Sequence, residues 1–124
     1  MHPAWVSGHA ATAAAEAVVK LAAYRNGPWP LAPIQASPDG LSLVPASSSN
    51  LTVHGELRKF AWNKGFGRCP LGVHYRSDVT AGLLVGQAAA VRVLRQRKAE
   101  AEALGLAPWG EVTFEGFGGQ LITI

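Results

Sequence analysis

Three residue types suited to acid–base and anion chemistry lie close together in Arg68-Cys69-Pro70-Leu71-Gly72-Val73-His74-Tyr75-Arg76-Ser77-Asp78. An arginine precedes the histidine by six residues, and an aspartate follows it by four. Residues four apart share one face of a helix, so Asp78 is expected to reach His74 and accept its Nδ1–H. That contact would fix the imidazole tautomer and leave Nε2 for use as a nucleophile or ligand. Arg68 adds a planar fork of donors that matches a tetrahedral oxyanion. The expected chemistry is an anion site with a reactive imidazole. The same spacing also suits a plain surface or capping pair between His74 and Asp78, and spacing alone leaves both open.

A second element near the N-terminus favours the anion site. In Trp5-Val6-Ser7-Gly8-His9-Ala10 the serine is placed to cap an alanine-rich helix. The first N–H groups of that helix, on Gly8 and His9, have no carbonyl of their own and point at any anion beyond the helix end.

Helices must hold these groups. Pro70 cannot donate to a helix and pushes Cys69 out of the α region, so one helix is expected to close at Arg68 and another to carry His74 and Asp78. Residues 7–25 read as the first helix, stopped by Asn26-Gly27-Pro28 and with so little side-chain bulk that burial nearly all round is expected. Residues 26–51 hold Pro28, Pro30, Pro33, Pro38 and Pro45, with Asp39-Gly40 and a Ser47-Ser48-Ser49-Asn50 run. They read as a long loop with little regular structure, at a subunit contact or over the cleft. Thr52 is placed to cap a second helix over 52–67, in which Leu57, Phe60, Ala61 and Lys64 share a side. A third helix over 72–104 is apolar through Val79–Leu94, ends at Leu104-Gly105 with Pro108 just beyond, and carries a solvated charge run at Arg95, Arg97, Lys98, Glu100 and Glu102. Residues 111–115 and 120–124, joined by Gly116–Gly119, read as a hairpin. The fold class expected is all-α, a bundle of about three main helices with a long Pro-rich loop and a small C-terminal β-hairpin.

Composition narrows the functional classes. A chain of 124 residues makes one domain at most, with one modest core. Its net charge of +3 mildly favours anionic ligands, but the cations are too scattered to argue for nucleic acid. The single cysteine, Cys69, makes no internal disulfide and reads as a packing residue. The N-terminus lacks the basic and apolar regions of a secretory signal. Glu16, Lys20 and Arg92 interrupt the apolar runs, so no membrane span is expected.

Ser7-Gly8-His9 followed by Arg68-x5-His74-x3-Asp78 resembles the second and third signature motifs of the vanadium-dependent haloperoxidases, which are related to type-2 phosphatidic-acid phosphatases and bacterial acid phosphatases. The haloperoxidase branch fits better. Gly55-Glu56-Leu57-x-Lys59, Asn63, Gly67-Arg68, the Gly72–Asp78 run and Gly82-Leu83-Leu84-x-Gly86 are similar to its bromoperoxidase-like C-terminal region. Val112-Thr113-Phe114-x-Gly116 and Leu121-Ile122-Thr123-Ile124 resemble its terminal hairpin.

The resemblance implies vanadate as cofactor, with hydrogen peroxide and halide as substrates. It implies that His74 is the vanadate ligand, that Arg68, Gly8 and Ser7 bind the oxyanion oxygens, and that His9 is the acid–base group. It also suggests His2 for a halide pocket, although a residue beside Met1 equally suits a frayed end. His54, by contrast, reads as a partly exposed histidine with no role. Lys64 and Arg76 read as solvated, or paired with Asp78 or Glu56. The family's first motif, a lysine followed by an arginine, lies upstream of the Ser-Gly-His element, and the seven residues before Gly8 leave no room for it. Residues 1–124 are thus expected to be the C-terminal part of such a domain, acting with an N-terminal half or as a homo-oligomer, and weak in activity alone. The alternatives are an acid phosphatase working through a phospho-His74, or a non-catalytic remnant that binds an oxyanion.

Overall fold

The structure is a computed structural model that describes residues 4–46, 50–106 and 109–124. His2, the Ser47–Ser49 run and Pro108 lie outside the described residues. Helix α1 spans Gly8–Ala23, α2 Val53–Phe66 and α3 Arg76–Ala103. Strands β1 (Ile34–Ala36) and β2 (Leu43–Pro45) pair with each other, as do β3 (Thr113–Glu115) and β4 (Leu121–Thr123), both antiparallel. Three helices with a closing C-terminal hairpin is the architecture expected of the sequence.

Local chemistry explains the helix ends. Ser7 Oγ accepts the Ala10 N–H at 3.4 Å, and Thr52 Oγ1 accepts the Gly55 N–H at 3.1 Å. Each cap satisfies one of the orphan donors of a first turn. At the far end of α3, Leu106 N–H reaches Ala101 O and Gly105 N–H reaches Glu102 O, with Gly105 at φ +67°. This is a Schellman stop, which glycine adopts without steric cost.

Helix α1 lies against both other helices, most extensively α3. Its buried positions are Ala10, Ala13, Ala14, Ala17, Val18 and Leu21, a single helical face. Thr12, Glu16 and Val19 are exposed, which corrects the expectation of burial nearly all round. Small residues let the helices approach closely: an ideal Cβ on Gly86 would lie 2.0 Å from the Ala11 carbonyl oxygen.

The core has two halves. One joins the alanine face of α1 to Ala61, Val79 and Leu83, with Trp62, Cys69 and Phe117 against it. The other joins Val18, Leu21, Ala90 and Val91 to Phe114, Ile122 and Ile124 of the hairpin. Fully burying a residue such as Leu21 or Leu83 contributes about 1.5–3 kcal/mol. The hairpin is also tied by polar contacts. Arg95 donates twice to Thr123 O, at 3.2 and 2.8 Å, and Lys98 Nζ donates to Ile124 O at 3.0 Å. Those two cations therefore grip the chain end and are not part of a purely solvated face.

Two further expectations change, at residues 26–51 and at His54. Residues 26–51 hold a short hairpin, with Gly40 at φ +72° in its turn and Asp39 Oδ1 accepting the Leu41 N–H. Its strands avoid the proline restriction because Pro45 sits at a strand end. Phe60 is 54 % exposed and lies under Lys20 Nζ at 5.7 Å, because α1 rests on the line of Ala61 and Gly65. His54 is buried and shares a 2.7 Å hydrogen bond with Tyr24 O, a partner thirty residues away. Helix α3 is long and apolar enough to cross a membrane by length and composition, with half of that window buried in the bundle, as in a core helix.

Candidate functional site

The sequence-predicted groups stand on three segments that meet at one end of the bundle. Ser7, Gly8 and His9 open α1. Arg68 lies in the turns that follow α2, and His74 and Asp78 flank the start of α3. Two observations place these segments together. The Ser7 N–H donates to Asp78 O at 3.1 Å, which joins the first turns of α1 and α3. An ideal Cβ on Gly65, three residues before Arg68, would lie 3.0 Å from Ala10 Cβ and 3.1 Å from Val79 Cγ1. The end of α2 thus presses on both of the other helix starts.

Helix α2 ends at Phe66 with Gly67 as its C-cap, just short of the expected close at Arg68. Tight turns follow: Arg68 N–H donates to Gly65 O at 3.3 Å, Cys69 N–H to Phe66 O at 2.9 Å, and Gly72 N–H to Cys69 O at 2.9 Å. Gly72 has φ +72°, which lets the chain reverse after Pro70. Arg68 is half-buried, and among the described residues its buried Nε has no hydrogen-bond partner. An unmade hydrogen bond on a buried donor is costly, so this atom marks a place where a ligand oxygen would be stabilising.

His74 corrects the helix expectation. Helix α3 begins at Arg76 with Tyr75 as N-cap, so His74 precedes the helix. The cause is Asp78, whose Oδ2 accepts the Tyr75 N–H at 2.8 Å and holds Tyr75 extended. The two side chains still meet. His74 Nδ1 lies 3.6 Å from Asp78 Oδ2, and both residues are buried. That separation is longer than a hydrogen bond, so the expected Nδ1–H bond to the carboxylate is replaced by an ion-pair contact available to the protonated ring. Ser77 Oγ bonds the other carboxylate oxygen at 3.3 Å. Asp78 therefore combines both readings of the spacing, since it caps α3 and faces the imidazole.

Ser7 is buried, while Gly8 and His9 are exposed on the first turn of α1. Among the described residues no hydrogen bond is made by the N–H groups of Gly8 and His9, as expected of a first helical turn. The cations around the site have other partners. Lys64 pairs with Glu16 at 3.1 Å, Lys59 pairs with Glu56 at 2.6 Å, and Arg76 lies 5.9 Å over the Phe66 ring. The pairing of Lys64 with Glu16 replaces the expected pairing with Asp78 or Glu56. The hydrogen bonds from Lys20 and then Lys64 hold the Glu16 carboxyl below its ordinary range. Sequence reasoning missed both the Glu16 contact, forty-eight residues away, and the orphaned Arg68 nitrogen. Neither leaves a signal in local sequence.

Among the described residues no three His, Cys, Asp or Glu side chains gather as a metal-cation cluster. The donors at this end are an imidazole, a guanidinium and helix-terminal N–H groups, a set that suits an oxyanion. The helical bundle brings those donors to the joined ends of three segments.

No family model matches the chain. Three curated proteins do. A vanadium-dependent bromoperoxidase of Ascophyllum nodosum is 38% identical over 126 residues, covering 99% of this chain and 22% of its own length. Vanadium-dependent bromoperoxidases of Corallina pilulifera and Corallina officinalis are each 37% identical, over 97 and 98 residues, covering 77% of this chain and 16% of their own lengths. The chain belongs to the vanadium-dependent haloperoxidase family, and it spans about a fifth of the length of the curated relatives it matches.

Proposed function

We propose that these residues carry the oxyanion end of a vanadate-dependent haloperoxidase that oxidises halide with hydrogen peroxide, and that they represent the C-terminal part of such a domain. The observation that carries this reading is the buried Arg68 Nε, which has no hydrogen-bond partner among the described residues, on the segment that leads from α2 to the His74–Asp78 pair. The names of the relatives supply the cofactor class.

The donor set fits vanadate. His74 would be its ligand, Arg68 would bind its oxygens, and the Gly8 N–H and Ser7 hydroxyl would hold others. Each charge-assisted hydrogen bond of this kind is worth about 1.5–3 kcal/mol. Bound vanadate would supply a Lewis-acidic centre that withdraws charge from hydrogen peroxide and opens it to attack by halide. The chain's own residues do the rest. Asp78 faces the imidazole on its Nδ1 side and would orient it. Arg68 balances the anionic charge in a partly water-excluded place, where its field is least screened. His9, exposed at the helix start, would take the peroxide proton on a ring nitrogen.

The test is titration of the chain with orthovanadate, followed by vanadium NMR and by the His74 ring signals, alongside bromination of monochlorodimedone. Weak binding lost in His74→Ala supports the reading. Bromination should be slight for the chain alone and should rise when the complementary part of a bromoperoxidase is co-expressed. No response to orthovanadate at His74 would overturn it. Hydrolysis of p-nitrophenyl phosphate that is lost in His74→Ala, without bromination, would instead assign an acid phosphatase acting through phospho-His74.

A further inference from the structure

Ser7 is held on two sides by α3. Its N–H donates to Asp78 O at 3.1 Å, and its carbonyl oxygen lies 2.5 Å from where a Cβ on Gly82 would stand. Asp78 and Gly82 are four apart and so share one face of α3. The Gly82 Cβ position also meets Ala10 Cβ at 2.9 Å and Ala11 N at 3.3 Å. The Ser7 carbonyl itself accepts the Ala11 N–H at 3.0 Å, so the contact falls on the backbone of the first turn. A backbone carbonyl cannot rotate away as a long side chain can.

We propose that Gly82 is a positioning residue: it sets how deeply the Ser7-Gly8-His9 turn sits against the start of α3, and so the separation between the Gly8 N–H and the His74 imidazole. The inference rests on the oxyanion reading of this site. A methyl group at residue 82 would drive the Ser7 carbonyl back by about 1 Å to reach ordinary contact distance. Binding constellations tolerate displacements of only about 0.5 Å, so that retreat is enough to uncouple the two halves of the site.

Gly86 supplies the control. Its Cβ position lies 2.0 Å from the Ala11 carbonyl oxygen and 2.8 Å from Ala11 Cα, a tighter contact in the same interface but one turn farther from Ser7. A purely structural role predicts that Gly86→Ala is at least as harmful as Gly82→Ala in every measurement. A positioning role predicts a split.

The experiment titrates wild type, Gly82→Ala and Gly86→Ala with orthovanadate and with inorganic phosphate. It follows the Gly8 amide and His74 ring signals by NMR and measures unfolding midpoints in parallel. Absence of binding by wild type overturns the oxyanion reading itself, and the proposal falls with it. If wild type binds, Gly82→Ala should weaken binding by about tenfold or more and shift both signals in the ligand-free state. Gly86→Ala should lower the midpoint at least as much yet bind within about twofold of wild type per folded molecule. Equal loss of binding in both variants, or unchanged binding in Gly82→Ala, overturns the positioning role. Should either variant not fold in buffer, the titration is repeated in sucrose, which favours the compact state. A Gly82→Ala chain that remains unfolded there overturns the proposal, since the contact would then be a requirement of the fold alone.

Discussion

Replacing Arg68 by methionine should weaken oxyanion binding without weakening the fold. The variant keeps an unbranched stem of comparable reach and removes the guanidinium. In the structure Arg68 Nε is buried and has no hydrogen-bond partner among the described residues, and a buried unsatisfied donor costs about 1–3 kcal/mol. Arg68 as a whole is only half-buried, so the lower end of that range applies. Removing the donor should therefore leave stability unchanged or raise it by about 1 kcal/mol, a rise of about 4 °C in Tm for a chain of this size. Binding should move the other way. A charge-assisted hydrogen bond worth about 1.5–3 kcal/mol corresponds to roughly a 10- to 150-fold loss of affinity. Thermal melts by far-UV circular dichroism, with orthovanadate and phosphate titrations on the same samples, read both quantities. A variant that melts several degrees lower and binds with unchanged affinity would refute the argument, because Arg68 would then be holding the turn and not a ligand.

Other outcomes follow from contacts away from Arg68. Glu16→Gln should lower stability slightly at neutral pH, by less than about 1 kcal/mol because the ion pairs are exposed. The Glu16 carboxyl is held below its ordinary value of 4.5, so the folded chain resists its protonation more than the unfolded chain does. The contribution is full above 4.5 and fades as pH falls through the folded value, so the two melting curves should converge in acid; a constant gap would refute this. Gln87→Ala should destabilise by about 2 kcal/mol, since its Oε1 accepts the Phe117 N–H at 2.6 Å and that donor would be left without a protein acceptor. Chemical denaturation measures it, and a cost near zero would show that water replaces the amide. Hydrogen exchange at Ser37 and Ala46, which donate to Ser42 O and Pro33 O, should be slower than in a free chain yet faster than in α1. A hairpin of two strands has little stability of its own, and coil-like exchange at both amides would count against it.

Local chemistry in the sequence determined where the elements start and stop. Ser7 and Thr52 cap helices because their hydroxyls reach N–H groups three residues on. Gly105 ends α3, and Pro70 with Gly72 forces the chain to turn between α2 and α3. The site motifs were legible for the same reason: a serine cap followed by open N–H groups, and a His-x3-Asp spacing, are short-range facts. Tertiary structure decided what those groups do. Asp78 could cap α3 or face His74, and only the packed chain shows it doing both, which moves His74 off the helix. His54 and Lys64 found partners thirty and forty-eight residues away, at Tyr24 and Glu16. The gap that Gly82 leaves for the Ser7 carbonyl, and the Arg68 nitrogen left without a partner among the described residues, exist only once three helices meet. Hydrogen-bond caps act over three or four residues and can be read along the chain, whereas close approach and burial depend on which distant backbones touch.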